Sequence, residues 1–122
     1  KMYSYLKDLN IGCIELIPNR NSLETLEKFV SFFRNRNFVV AMGTEHNSPD
    51  MIPLTPCCRG MIPLSDKLKA VSFEAACVIA AHQQYKSSGM QGYIDKSGKP
   101  RSSEIKQFSS LGRSVIENYL KN

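Results

Sequence analysis

The side chains of this sequence that could do chemistry are concentrated in residues 39–47, which read VVAMGTEHN. An apolar run ends there in a glycine and a threonine, and a carboxylate and an imidazole, Glu45 and His46, follow at once. These two groups can bind Zn²⁺, Mn²⁺ or Fe²⁺, and a metal bound in this way makes hydroxide available near neutral pH. In the alternative, Glu45 and His46 only cap the following loop by hydrogen bonding. The stretch therefore predicts either a divalent-metal site or a capped loop.

A second polar cluster accompanies another apolar stretch, residues 11–18, which read IGCIELIP. This stretch predicts a short strand that Pro18 and Asn19 stop. It carries Glu15 and leads directly into Asn19, Arg20 and another asparagine. A guanidinium such as that of Arg20 can hold a phosphate by a two-pronged contact. Arg59, within the proline-rich residues 47–64, is a further candidate for an anion contact.

The residues between the two apolar stretches predict a crossover helix. Ser22 is a suitable N-cap, and apolar residues then recur at spacings of three and four to about residue 36. Residues 38–42 predict the second strand. Strand, helix and strand within about 30 residues are typical of a parallel βαβ unit, whose strands end at one edge of the sheet. We therefore expect the two polar clusters to meet at that edge.

The rest of the chain predicts a helix-rich α/β domain over residues 1–122. Residues 47–64 contain four prolines and a glycine and predict an irregular loop. Ser65 should cap a helix that reaches about Ser87, and Ser103 should cap the last helix. A two-stranded parallel sheet cannot cover itself. The chain is therefore expected to oligomerise or to belong to a larger α/β assembly.

The net charge, the apolar runs and the cysteine pattern restrict the possible partners and the cellular compartment. The net charge of +5 is compatible with a small anionic substrate, but no basic block is interleaved with aromatic residues, which disfavours nucleic acid. No run approaches the roughly 18 apolar residues of a membrane span, so no membrane partner is expected. The four cysteines make no C-x-x-C motif, and Cys13 and Cys77, among apolar neighbours, are expected to be buried thiols. A reduced, cytoplasmic protein is the expectation.

His82 and the adjacent cysteines Cys57 and Cys58 lie outside the two polar clusters. His82, in the long helix, is expected to have a structural role near the helix end. A nucleophilic Cys57 or Cys58 would need a neighbouring base and a lowered pKa, and nothing in the sequence indicates either.

The motifs IELIPNR and VVAMGTEHN, separated by a helix, resemble the late strands of the PHP superfamily, which is named for polymerase and histidinol phosphatase. Members of that superfamily are distorted β/α barrels with a cluster of divalent metals, and many hydrolyse phosphate esters. The resemblance implies that Glu45 and His46 are metal ligands, for Zn, Mn or Fe, and that Glu15 and Asn19 line the same mouth.

The resemblance covers roughly residues 11–50 and shows two departures. The acid and the histidine are adjacent here, whereas the family usually separates them by one residue, and the family's His-x-His motif is absent. Since a complete barrel takes about 250 residues, the resemblance implies that residues 1–122 are the C-terminal part of a larger hydrolase acting on a phosphate ester. The alternative is a non-catalytic α/β module, including a degenerate barrel, that binds a partner or forms a homo-oligomer.

Overall fold

The computed structural model describes residues 1–46, 49–51 and 53–121. Within these residues the secondary structure is mixed, with helices predominating and with two small strand pairs. In chain order the helices and strands are α1 (Met2–Asp8), β1 (Cys13–Leu16), α2 (Leu23–Arg34), β2 (Val39–Met42), β3 (Cys57–Cys58), β4 (Ile62–Pro63), α3 (Asp66–Ser87) and α4 (Ile105–Leu120). Short 3₁₀ turns cover Pro18–Arg20, Arg59–Met61 and Ser102–Glu104.

The predicted βαβ unit is confirmed. β1 and β2 are parallel, in a register that sets Cys13 opposite Val39 and Leu16 opposite Met42. The crossover helix α2 begins as predicted, because the Ser22 side chain accepts the backbone N–H of Thr25 at 3.2 Å. α2 ends earlier than expected because the chain turns into the left-handed region at residue 37 before it enters β2.

β2 is covered by helices on both of its faces. Val40 belongs to the core cluster that α2 builds, and the adjacent Val39 belongs to the cluster that α3 and α4 build. This alternation follows from the two-residue period of a strand. Among the described residues the two strands pair with each other and with no further strand. A barrel therefore stays a prediction.

β1 is covered on one face only. Ile14 and Leu16 pack against the α2 cluster, whereas Cys13 and Glu15 project from the other face and are exposed. The prediction that Cys13 is a buried thiol was wrong, because α3 and α4 extend over β2 but leave this part of β1 open. The same prediction for Cys77 is confirmed.

α3 and α4 pack closely, and Gly112 allows this approach. A Cβ atom at residue 112 would collide with the backbone carbonyl of Cys77, which a rotamer change cannot relieve. Ser65 caps α3 as predicted, through the N–H of Leu68. Ser103, in contrast, does not cap α4. It lies inside the 3₁₀ turn before the helix, and the N-cap position falls to Glu104, whose side chain makes no capping bond.

The proline-rich segment is less irregular than predicted. β3 and β4 form a two-residue antiparallel pair around a turn in which Gly60 has a φ of 75°. Cys58 is buried in the α2 cluster and anchors the pair to the core. Three residues of this loop, Asn47, Ser48 and Ile52, lie outside the described residues. None of the described helices has the length and apolar character needed to cross a membrane.

Candidate functional site

The ends of β1 and β2 lie together at the carboxyl edge of the sheet, as parallel pairing requires. The pairing extends one residue past β2, since the N–H of Gly43 donates to the carbonyl of Leu16 at 2.9 Å. The 3₁₀ turn Pro18–Arg20 follows β1, and residues 44–46 follow β2. The six residues selected from the sequence lie on these segments or near them, and together they are called the strand-end site: Glu15, Asn19, Arg20, Glu45, His46 and Arg59.

An ion pair between Arg20 and Glu45 joins the two strand ends. Glu45 reaches it from a left-handed backbone conformation, with a φ of 52°. A non-glycine residue in that region loses about 1–2 kcal/mol, so the turn stores a small strain that directs the carboxylate back towards Arg20. The Arg20 side chain is 65% exposed, and a pair so open to solvent stabilises the fold by only about 0–1 kcal/mol. The pair therefore positions the two side chains but does not fix them strongly.

Gly43 is needed for its small size. The Glu15 carboxylate lies directly over it, where a Cβ atom would collide with the carboxylate group, and the Cδ1 atom of Ile17 would be 3.1 Å from the same Cβ. The side chain of Glu15, a residue of β1, thus extends along the sheet towards the end of β2. The left-handed turn of this segment lies two residues later, at Glu45.

Arg59 connects the proline-rich segment to the turn after β1. Its Nη2 atom donates to the carbonyl oxygen of Arg20 at 2.7 Å, and its backbone N–H donates to the carbonyl of Asn21 at 2.9 Å. A guanidinium carries five N–H donors, so one bond to Arg20 does not exhaust the group. Two arginines from distant parts of the chain therefore share the carboxyl edge.

Asn19 borders a small cavity at the same edge, beside Gly43, Thr44 and Cys57. Its volume is about 10 Å³, which is close to the smallest space that holds one water molecule. This cavity cannot take a substrate. A ligand at this edge would have to bind on the open surface formed by Arg20, Glu45 and Arg59.

His46 is held by its neighbour Thr44, whose Oγ1 atom lies 2.9 Å from Nδ1 of the imidazole. The sequence interpretation gave Thr44 no role. The signal that could have indicated this contact is a hydroxyl residue two positions before a histidine. A hydrogen bond at one ring nitrogen is also how proteins orient a histidine for metal binding through the other. The contact is compatible with both predictions for His46, a loop cap and a metal ligand.

The described residues do not by themselves fit a divalent metal. No group of three or more histidine, cysteine, aspartate or glutamate side chains is placed to hold one in the part of the chain that the structure describes. The Glu45 carboxylate also faces the guanidinium of Arg20, and that positive charge opposes a cation at the same oxygen atoms. Metal ligation by Glu45 and His46 thus stays a prediction.

The residues set aside in the sequence occupy structural positions. His82 packs over Gly92, and its Nδ1 atom lies 3.4 Å from the N–H of Ile94, which donates to it. Burial, with smaller contributions from Cys57 and Glu27, raises the pKa of the Cys58 thiol. A raised pKa means less thiolate, which is the opposite of what a nucleophile needs.

Comparison of the chain with protein-family models, with curated proteins and with solved structures found no match. Function therefore has to be inferred from the geometry of the strand-end site and from the chemistry of its residues.

Proposed function

We propose that the strand-end site binds a small phosphorylated molecule and forms the phosphate-facing part of a hydrolase that acts on phosphate esters. The observation that carries the proposal is the bond from Arg59 to the carbonyl of Arg20 at 2.7 Å. It brings two guanidinium-bearing residues to the carboxyl edge of a parallel sheet, where ligands of α/β proteins usually bind. Arginine is well suited to a phosphate because its planar fork matches two phosphate oxygens.

The ion pair between Arg20 and Glu45 supports exchange of one anion for another. Both side chains are partly exposed, so opening the pair requires only about 1 kcal/mol or less. A phosphate with two negative charges competes well with a single carboxylate for the same guanidinium. Phosphate binding would release the Glu45 carboxylate from Arg20. The released carboxylate would be a better ligand for a cation, because the guanidinium charge would no longer face its oxygen atoms.

The metal-dependent part of the proposal rests on the resemblance to the PHP superfamily. Glu45 and His46 would contribute ligands, and the remaining ligands would have to come from outside the described residues. The metal would supply an activated hydroxide when bound. Glu15 and Asn19 would line the same edge.

The anion-binding part is tested by titrating the protein with inorganic phosphate in an isothermal titration calorimeter. Arg20→Gln and Arg59→Gln should each weaken binding by about tenfold, because each removes charge-assisted hydrogen bonds. Lys28→Gln is the matched control, since Lys28 also forms an exposed ion pair, with Glu24 at 2.6 Å. An equal loss in all three variants would show that only net charge matters.

Hydrolysis is tested separately with p-nitrophenyl phosphate and Mn²⁺, using the natural full-length protein. His46→Ala should abolish metal-dependent turnover while the melting temperature stays within a few degrees of wild type. Unchanged turnover in that variant would contradict the hydrolase assignment.

A second candidate function is a non-catalytic α/β module that pairs with a partner or with itself. It is favoured by the outer edge of β1, which pairs with no strand among the described residues. The bonds from Val39 N–H to Gly12 O and from Gly43 N–H to Leu16 O are both 2.9 Å and show which backbone groups face β2. In a parallel pair the intervening residues, Cys13 and Glu15, turn their N–H and C=O groups outward. An open edge of this kind can accept another strand.

Oligomerisation is tested by light scattering after size-exclusion chromatography at about 50 µM protein. Cys13→Pro removes one outward N–H and leaves the bonds to β2 in place. The module hypothesis expects a dimer or larger species that becomes monomeric in this variant. A monomeric wild-type protein would argue against it.

A further inference from the structure

A second cluster of cations lies at the amino edge of the sheet, where β1 and β2 begin. It borders an open groove of about 360 Å³, which is within the size range of sites for small ligands. The side chains that border it include three cations and three neutral polar groups, and they include no carboxylate. These six residues define the basic groove: Lys7, Arg36, Lys99, Asn10, Asn37 and Ser102.

The two asparagines reach the groove through the same backbone motif. Asn10 follows α1 and Asn37 follows α2, and both have left-handed φ values, 57° and 60°. After α1, the N–H of Ile11 donates to Leu6 O at 2.9 Å, and after α2, the N–H of Phe38 donates to Phe33 O at 3.1 Å. Each is the six-to-one bond of a Schellman motif, in which glycine is the usual left-handed residue. Asparagine tolerates the conformation as well, and it adds a side-chain amide at each position.

The cations of the groove form no ion pair with a carboxylate in the described part of the chain. Arg36 is held over the Phe32 ring, with its guanidinium carbon 3.8 Å from the ring centroid, and donates to Phe32 O at 3.0 Å. Lys7 and Lys99 are exposed, and neither has an ion pair among the described residues. Asp95 is close to Lys99 but forms no ion pair with it among the described residues. The Asp95 pKa is lowered mainly by hydrogen bonds from the Ser97 hydroxyl and the Lys99 N–H, and the charge of Lys99 contributes least.

A buried hydroxyl lies behind the groove. Tyr93 is 2% exposed, and among the described residues its hydroxyl has no hydrogen-bond partner. Burial raises its pKa to about 12, and the neighbouring Ser102 hydroxyl partly offsets this rise without reaching hydrogen-bond geometry. Ser102 itself borders the groove, and its Oγ atom would lie 3.7 Å from a Cβ atom placed on Gly12. Ser102 therefore lies between the groove, which it borders, and the buried hydroxyl of Tyr93.

From this juxtaposition we infer that the basic groove binds a small molecule carrying a phosphate monoester, at the edge of the sheet opposite to the strand-end site. Lysine and arginine supply the charge, and the amides of Asn10 and Asn37 supply neutral donors. The cations converge on one groove of small-molecule size and do not follow an extended track, which favours a metabolite over a nucleic acid. The inference is independent of the function proposed for the carboxyl edge.

The test uses the 122-residue chain with Arg20→Gln/Arg59→Gln, which removes the guanidinium groups of the strand-end site. Three probes, adenosine monophosphate, inorganic phosphate and uncharged adenosine, are titrated into it in a calorimeter. We expect saturable binding of the first two and none of adenosine. The double variant Lys7→Gln/Lys99→Gln should weaken binding of the monophosphate by about tenfold or more. Lys86→Gln/Lys121→Gln, which makes the same change in net charge outside the groove, should change it less than twofold.

A second pair of variants separates recognition from folding. Asn10→Gly/Asn37→Gly keeps a left-handed conformation that glycine adopts readily, so the melting temperature should be retained while the affinity falls. Equal losses in the two lysine double variants, or adenosine binding as tightly as its monophosphate, would overturn the inference. So would loss of monophosphate binding in the Arg20→Gln/Arg59→Gln chain when the unchanged chain binds it, because the anion would then sit at the strand-end site. Tighter binding of a ten-nucleotide DNA than of the monophosphate by tenfold or more would likewise replace a small ligand with nucleic acid.

Discussion

The two edges of the parallel sheet carry similar charges and use them differently. At the carboxyl edge, Arg20 is paired with Glu45, and Arg59 donates to a backbone carbonyl. At the amino edge, Lys7 and Lys99 border the basic groove without a carboxylate among its lining residues. An anion that approaches Arg20 competes with the Glu45 carboxylate, whereas one that approaches Lys7 or Lys99 displaces no ion-paired carboxylate among the described residues. The comparison teaches that the edge with the more conspicuous motif is the edge whose arginine is already paired with a carboxylate.

The largest expected effect comes from a change that should disable both edges together. In Gly112→Ala the new methyl group meets the backbone carbonyl of Cys77, so α3 and α4 must separate and the cover over β2 is lost. We expect a loss of about 3 kcal/mol or more in the free energy of unfolding, measured by urea denaturation. Ser110→Ala, at an exposed position of the same helix, should cost less than about 0.5 kcal/mol. Similar losses in both variants would mean that the helices are not closely packed at Gly112.

High pH should affect the amino edge through Tyr93. Its pKa is raised by burial from an ordinary value of 10.0 to about 12, so between pH 10 and pH 12 the unfolded chain loses this proton while the folded chain keeps it. Stability that is fully present below pH 10 is therefore lost as the pH rises, by on the order of 2–3 kcal/mol in total.

The measurement compares wild type with Tyr93→Phe, since the lysines titrate in the same range in both. The difference in free energy of unfolding should shift in favour of Tyr93→Phe from pH 9 to pH 11.5. At pH 7 the variant should be as stable as wild type or more so, because the hydroxyl it removes has no partner among the described residues. A constant difference across this range would show that Tyr93 is solvated in the folded state.

The sequence predicted the elements better than it predicted the contacts between them. The βαβ unit and the caps at Ser22 and Ser65 depend on local spacing and local hydrogen bonds, and all three are observed. The bond from Arg59 to Arg20 O joins residues 39 positions apart, and no local pattern encodes it. The cap assigned to Ser103 failed because a 3₁₀ turn before α4 has much the same sequence signal as a helix start.

The two edges also differed in how far they could be predicted. Glu45 and His46 adjoin each other in sequence, so the strand-end site could be suggested from one motif, although the left-handed turn at Glu45 could not. The basic groove could not be found at all, because Lys7, Arg36 and Lys99 come together only when α1, α2 and the segment before α4 are packed. Asparagine in place of glycine after α1 and after α2 was the one sequence signal, and it indicates helix ends rather than a ligand.

Removing an ion pair at each edge of the sheet should lower the free energy of unfolding by amounts that differ by about 1 kcal/mol. Arg34 donates to Phe38 O at 3.1 Å and pairs with Glu74 at 2.7 Å, with both side chains 26% exposed. Arg34 therefore connects the start of β2 to α3 at a partly buried position. Arg34→Gln should lower the free energy of unfolding by about 2 kcal/mol. Arg20→Gln, at the more exposed pair, should cost about 0–1 kcal/mol.

Urea denaturation at 0.05 and 0.5 M NaCl measures both effects. Added salt should reduce the effect of Arg20→Gln more than that of Arg34→Gln, because salt screens exposed charges more strongly than partly buried ones. If Arg20→Gln lowered the free energy of unfolding more than Arg34→Gln did, the pair between Arg20 and Glu45 would be important for stability. Exchange of Glu45 for a phosphate would then be disfavoured.

The smallest expected effect compares left-handed residues at the two edges. Asn37 and Glu45 have φ values of 60° and 52°, but asparagine tolerates this region and glutamate is strained in it. Asn37→Ala should therefore lose about 1 kcal/mol, because alanine adopts the left-handed conformation poorly. Glu45→Gly should be within about 0.5 kcal/mol of wild type, since the relief of backbone strain offsets the loss of an exposed ion pair and the greater freedom of the unfolded chain.

The control for both is Asn37→Gly, which keeps the left-handed turn and removes only the amide. It should match wild type in thermal unfolding, so that Asn37→Ala reports the backbone and Asn37→Gly reports the groove. A destabilised Glu45→Gly would mean that the ion pair with Arg20 outweighs the strain. Glu45 would then be held in place by Arg20, and the carboxyl edge would be a closed structural contact in which no anion readily replaces the carboxylate.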